Sequence, residues 1–186
     1  MKMFKKLMAV ALAGVMALAL LAGCANKVVT VSESEILAAM TDRNPYTWHT
    51  SKGEVKVTYK AADSAEAAKV VKILQSYVAE NKDAKLVTNN LANYDVISEN
   101  RIALKEALGV TNETKDVVFV NWVKVEDYKG QYNQEYQSVQ LANKLVGGST
   151  LNWADVKGGE GTVSVKMDKI GSDTYVVCVT RVPMAE

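Results

Sequence analysis

Hydrophobic and polar positions change their spacing several times along this chain. Between Glu54 and Lys60 they alternate, with Val55, Val57 and Tyr59 on one side and Glu54, Lys56, Thr58 and Lys60 on the other. A period of two predicts a strand with one wet face. From Asp63 the period lengthens. Val70, Val71, Leu74, Tyr77 and Val78 fall on one helical face, Lys69, Lys72 and Gln75 lie off it, and Asn81-Lys82-Asp83 closes the helix. Asp63 and Glu66 have the spacing of a capping box at its start. Ser32 and Glu35 have the same spacing ahead of Ile36, Leu37 and Met40. That shorter helix must end before Asn44-Pro45, because proline disfavours helical geometry in the residue that precedes it.

Residues 84–97 carry no single pattern: Leu86-Val87 suits a short strand and Asn89-Asn90 a turn. A helix is predicted from about Ser98 to Gly109, with that glycine just past its end. Val117 to Val125 is apolar and β-branched except at Asn121 and Lys124, which predicts the central, most buried strand. Tyr132 to Val146 reads as a helix with Tyr132, Tyr136, Val139 and Val146 on its apolar face, closed by Gly147-Gly148. Val163, Val165 and Met167 alternate with Thr162, Ser164, Lys166 and Asp168. A turn at Gly171-Ser172-Asp173 and a returning run Tyr175–Val179 complete a β-hairpin. There is no internal repeat. The order of elements predicts an α+β fold: one domain over 32–186, with a roughly four-stranded, mainly antiparallel sheet and three to four packed helices.

The first 24 residues follow a different logic. Lys2, Lys5 and Lys6 precede an uncharged run from Leu7 to Ala22, and Ala22-Gly23 are small. This is the layout of a secretory signal peptide over residues 1–23. The run is too short, and too broken by Gly14 and Gly23, for the roughly 20 apolar residues that span a bilayer. Leu21-Ala22-Gly23-Cys24 resembles the lipobox of bacterial lipoproteins. The resemblance implies cleavage before Cys24, a diacylglycerol on its sulfur, and a chain anchored at the extracytoplasmic face of the cell membrane. Two acyl chains hold a protein stably where one binds only marginally. Residues 24–31 would then be the lipidated cysteine and a short tether, since Ala25 to Val31 spans at most about 25 Å when extended.

Removing residues 1–23 takes three lysines and no acid, so the formal charge of +1 becomes −2. A near-neutral surface without a basic patch excludes nucleic acid as a partner. With Cys24 alkylated, Cys178 is the one remaining thiol, so neither an intramolecular disulfide nor a cysteine zinc site can form. His49 is the sole histidine and no Gly-x-Ser-x-Gly elbow exists. Gly158-Gly159-Glu160-Gly161 lacks the Lys-Ser/Thr ending of a phosphate loop and is read as a loop before a strand. Glu126-Asp127, Asp168 and Asp173 are expected to be solvated carboxylates. Cys178, inside a strand, is expected to pack as a small hydrophobe. No catalytic, cofactor or metal residue is therefore assigned, and no cofactor is implied.

One stretch stands out in composition. Asp42, Arg43, Asn44, Tyr46, Trp48 and His49 bring two aromatic rings and the only imidazole into an apparent loop ending at Thr50. Aromatic faces beside polar groups suit a ligand-binding surface. The alternative is that Tyr46 and Trp48 plug the end of the core beneath a loop. Trp122 and Trp153 are read as core. The tail Tyr175–Pro183 resembles the last strand of secreted cysteine-rich (CAP) domains, which implies a CAP-like fold, although the histidines and glutamates of that family's site have no match here beyond His49. Together these features predict a membrane-anchored envelope lipoprotein acting as a non-catalytic binding or structural module. Its partners are the membrane, through the lipid, and an envelope glycan, peptide or protein. The alternatives are an envelope enzyme with a carboxylate or metal site, and a small solute-binding component of a transporter.

Overall fold

Ser32 starts the first helix as its spacing demands. Its hydroxyl accepts the Glu35 backbone N–H at 3.3 Å, and its own N–H donates to the Glu35 carboxylate at 2.8 Å. The computed structural model describes residues 31–42, 45–50, 52–81, 86, 102–128, 134–146 and 156–184. Cys24 and the signal and lipobox residues lie outside them, as do Arg43, Asn44, Tyr132 and Trp153, most of 84–101, and Gly147-Gly148. Helix α1 runs Glu33–Thr41 and buries Ile36 and Met40. Val31, read above as the last tether residue, belongs to the same core cluster. It holds the position before the N-cap from which a hydrophobic staple reaches the residue at Ile36.

Strand β1 (Tyr46–Thr50) turns into β2 (Gly53–Ala61), followed by α2 (Ala65–Glu80) and a short helix α3 (102–107). Then come β3 (Asp116–Lys124), a 3₁₀ turn (Val125–Tyr128), α4 (Gln134–Val146), β4 (Gly159–Ile170) and β5 (Asp173–Pro183). The fold is α+β, and its sheet has five strands in the order β1-β2-β4-β5-β3. β1–β2, β4–β5 and β5–β3 pair antiparallel, while β2–β4 pair parallel. The expected sheet of four mainly antiparallel strands thus gains β1 and a parallel ladder. The ladder joins Val57–Ala61 to Gly159–Val163, segments about a hundred residues apart, and local spacing carries no information about so distant a partner.

Helices cover both faces of the sheet. Ile36, Met40, Leu141, Ala142 and Leu145, from α1 and α4, pack with Trp48, Val57, Tyr59, Phe119, Val163 and Cys178. On the other face Val70, Val71 and Leu74 of α2 and Leu104 at α3 pack with Val120, Trp122, Tyr175, Val177 and Val179. Among the described residues β3 pairs with β5 alone and ends the strand order, where the sequence predicts a central position. Its apolar run, interrupted by Asn121, reflects coverage on both faces, a property a strand can have without two strand neighbours. The apolar face expected for α4 is also rotated. Gln137, Ser138, Leu141, Ala142 and Leu145 are buried, while Tyr136 is 45% exposed. Two buried polar residues had disguised the inward stripe.

The expected C′ glycine of α3 is in place. Gly109 has φ +63°, and Val110 N–H donates to Lys105 O at 2.8 Å while Gly109 N–H donates to Glu106 O at 3.1 Å, the two bonds of a Schellman ending. At α2 the expected capping box is replaced by a tertiary one. The Asp63 carboxylate accepts Ala65 N–H at 3.0 Å. Glu66, however, turns to Arg181 on β5, accepting from Nε at 3.0 and 3.1 Å and from Nη2 at 2.6 Å. The donor that would have sought a local cap, Ala67 N–H, goes to the buried Ser164 hydroxyl of β4 at 3.2 Å. The glycine run before β4 is also strand rather than loop from Gly159 onward. A Cβ at Gly161 would lie 2.6 Å from Arg181 O and 3.1 Å from the Tyr59 ring, so glycine there lets the aromatic ring lie against the strand.

Candidate functional site

The aromatic stretch around residue 48 is built as β1, paired with β2 through Tyr46↔Val57 and Trp48↔Val55. Its alternation sends Tyr46 and Trp48 into the core and His49 outward. Trp48 is 1% exposed and its ring lies 4.9 Å from that of Phe119; Tyr46 meets Tyr59 edge-on at 5.6 Å. Two aromatics in a five-residue strand are too few for its period to stand out, which is why the segment reads as a loop. Asp42 caps the C-terminus of α1 and is exposed. His49 is exposed and places Nδ1 3.2 Å from Glu54 Oε1. The structure therefore separates these residues: Trp48 points into the core, while His49 and Asp42 face solvent at different elements.

The reactive groups of the interior are held neutral. Burial pushes the Cys178 thiol up from its ordinary 9.0, and this side chain is fully enclosed in β5. Burial likewise raises the Tyr59 phenol, with Cys178 adding to the effect and Thr180 and Trp48 opposing it. A thiol in that state is no nucleophile. The carboxylates singled out in the sequence are engaged in the scaffold: Asp173 pairs with Lys124 at 2.9 Å and Glu126 accepts Thr174 N–H at 3.2 Å. The Asp173 hydrogen bond is the main reason the Lys124 ammonium is held above its usual range. Among the described residues, no group of three or more His, Cys, Asp or Glu side chains is disposed to hold a metal ion.

Among the described residues, one concave feature is an open groove of about 560 Å³ where α1, β4 and the turn leading into α2 meet. Ser32, Glu33, Ser34, Leu37, Ala62, Ser64, Val165 and Met167 line it. Its position follows from where β2 stops. Ala62 N–H donates to Val163 O at 2.8 Å as the chain leaves the sheet for α2. Val163 therefore turns its peptide groups toward β2, and in a pleated strand every second residue does the same. Beyond the last β2 partner, Val165, Met167 and Lys169 turn theirs away from β5, on the side that β2 has left.

Side chains occupy part of that side. Glu33 Oε1 accepts Met167 N–H at 2.8 Å and Lys166 Nζ at 2.9 Å, and the Glu33 hydrogen bond is the leading reason the Lys166 ammonium is held above its usual range. Gln75 Nε2 donates to Lys169 O at 2.7 Å, and Lys169 N–H donates to Asp168 at 2.7 Å. Val165 N–H, Val165 C=O and Met167 C=O point the same way as the peptide groups of Val163, away from β5. The groove has an apolar floor of Leu37, Val165 and Met167.

Comparison of this chain with protein-family models, with curated proteins and with solved structures finds no match. The groove was not signalled by the sequence. Its residues come from three distant segments, and its position depends on a parallel partner ending before β4 does.

Proposed function

We propose that this protein is a membrane-anchored envelope lipoprotein whose folded part is a non-catalytic binding or structural module, with the groove beside β4 as its binding surface. The observation that carries the anchor is Leu21-Ala22-Gly23-Cys24 at the end of a basic-then-apolar leader. The fold supports the reading in one respect. α1 begins at Glu33 and its cap at Ser32, within ten residues of Cys24, so the groove rim formed by Ser32–Ser34 would stand close to the bilayer. The groove supports the binding role through its apolar floor of Leu37, Val165 and Met167.

The test is fractionation of cells expressing the chain. Cys24→Ser, which lacks the thiol to be alkylated, is expected to move from the membrane fraction to the soluble fraction, with its folded domain intact. A Cys24→Ser chain that sediments with membranes as fully as the parent would overturn the anchor.

A further inference from the structure

We propose that Glu33 is an ionisation-controlled clasp on the groove beside β4: charged, it ties the rim of the groove to its floor, and neutral, it lets the rim lift. The proposal rests on the groove being a binding surface, because a clasp matters only where something is held. The first ground is geometry. A single carboxylate oxygen, Glu33 Oε1, accepts Met167 N–H at 2.8 Å and Lys166 Nζ at 2.9 Å. Glu33 sits on the rim between Ser32 and Ser34, and Met167 lies on the floor. One atom therefore spans the two sides. A carboxylate accepts strongly from both donors, whereas a protonated carboxyl is a weaker acceptor and forms no ion pair with the ammonium.

The second ground is the set of charges around that atom. The Lys166 and Glu33 side chains are 33% and 35% exposed, so protons reach the pair without unfolding. Lys166 is held above its usual range chiefly by the Glu33 hydrogen bond, with Asp168 on the same strand adding to the effect. It therefore stays an ammonium in acid, and Glu33 is the partner that changes state. Glu35 on α1 is closed on the Ser32 N–H and hydroxyl, each at 2.8 Å. Asp63, before α2, accepts Ala65 N–H. The charged residues of α4, Glu135 and Lys144, are exposed, and Glu54, Lys56 and Lys60 of β2 project from the opposite face of the sheet.

The third ground is that α1 survives without the clasp. Its capping box belongs to Ser32 and Glu35, and Ile36 and Met40 are buried, so neutralising Glu33 loosens the rim and leaves the helix in place. Acid would then release what the groove holds.

Amide hydrogen exchange on the full chain, read residue by residue as protection relative to an unstructured peptide, tests this without a ligand. Ile36 N–H, bonded to Ser32 O, reports the rim, and Met167 N–H reports the floor. From about pH 7 to about pH 3, a span that brackets the ordinary carboxylate range, protection at both is expected to fall about tenfold. The β5 amides, which report the core, are expected to stay unchanged. Glu33→Gln has the same shape and no charge, so it is expected to show the lower protection already at neutral pH, with no further fall in acid. Protection at Met167 that is constant through the range in the parent would overturn the proposal. So would a Glu33→Gln chain that keeps the parent's neutral value, or a fall that the β5 amides share. Failure here leaves the groove as a binding surface standing. That reading fails separately, if a ligand found in a screen binds Ala62→Phe as tightly as the parent.

Discussion

Trp48 shows how one residue's surroundings decide between two roles. A tryptophan that stacked on a ligand would leave stability nearly unchanged when removed. Here the ring is enclosed against Phe119, so Trp48→Ala is expected to cost about 3–5 kcal/mol in denaturant unfolding. Cys178 is smaller and its removal milder, at about 1 kcal/mol for Cys178→Ala. It carries a pH signature as well. Burial raises the folded-state pKa above the unfolded value of 9.0. The folded state then holds a proton that the unfolded state releases, so the stability this group contributes is complete below pH 9 and declines above it. One pH unit above that value the loss is on the order of 1 kcal/mol. Urea unfolding of the parent and of Cys178→Ala at neutral and alkaline pH should show the gap between them closing as pH rises. Tyr59, raised by burial from 10.0, adds a similar decline in both chains at higher pH.

The helices are fastened to the sheet by side chains that sequence spacing assigned elsewhere. Ser164 of β4 accepts Ala67 N–H and donates to Asp63 O at 2.7 Å, so it caps α2 from across the structure. Ser164→Ala is expected to destabilise the protein by about 0.5–2 kcal/mol, the usual range for a lost N-cap. Arg181 does more. It binds Glu66 and donates to Leu108 O at 2.6 Å, joining β5, α2 and the end of α3, and Glu66 is the main reason its guanidinium is held above its ordinary range. Arg181→Leu would leave that carboxylate and carbonyl without their donor, at about 1–3 kcal/mol, measured by thermal or urea unfolding. These pairings explain what the sequence conceals. The box at Ser32–Glu35, the alternation of Glu54–Lys60, the stripe of α2 and the β4–β5 hairpin are local patterns, readable because each is complete within one element or within two joined by a tight turn. Glu66 has the spacing of a local cap, but its partner Arg181 is 115 residues away. β1 was missed because it is short, α4 was rotated because Gln137 and Ser138 are buried, and the groove beside β4 depends on where a distant parallel strand ends.

For the whole molecule, the leader and Cys24 would set location and the sheet would set what is presented there. Helices on both faces leave the strand edges and the groove beside β4 as the places where main chain can meet a partner. If the groove is what the module presents, narrowing it from the wall should alter binding without touching the core. Ala62→Phe, at an intermediate position on the groove wall, is expected to weaken by tenfold or more any peptide or glycan fragment found to bind in a screen, while the melting temperature stays within a few degrees of the parent. The anchor is the more basic claim, because every statement about orientation depends on it. Intact mass measurement of the protein extracted from membranes tests it most directly. The account predicts a chain that starts at Cys24 and carries the added mass of a diacylglycerol on that residue, and a chain that retains Met1, or that starts at Cys24 without added mass, would contradict it.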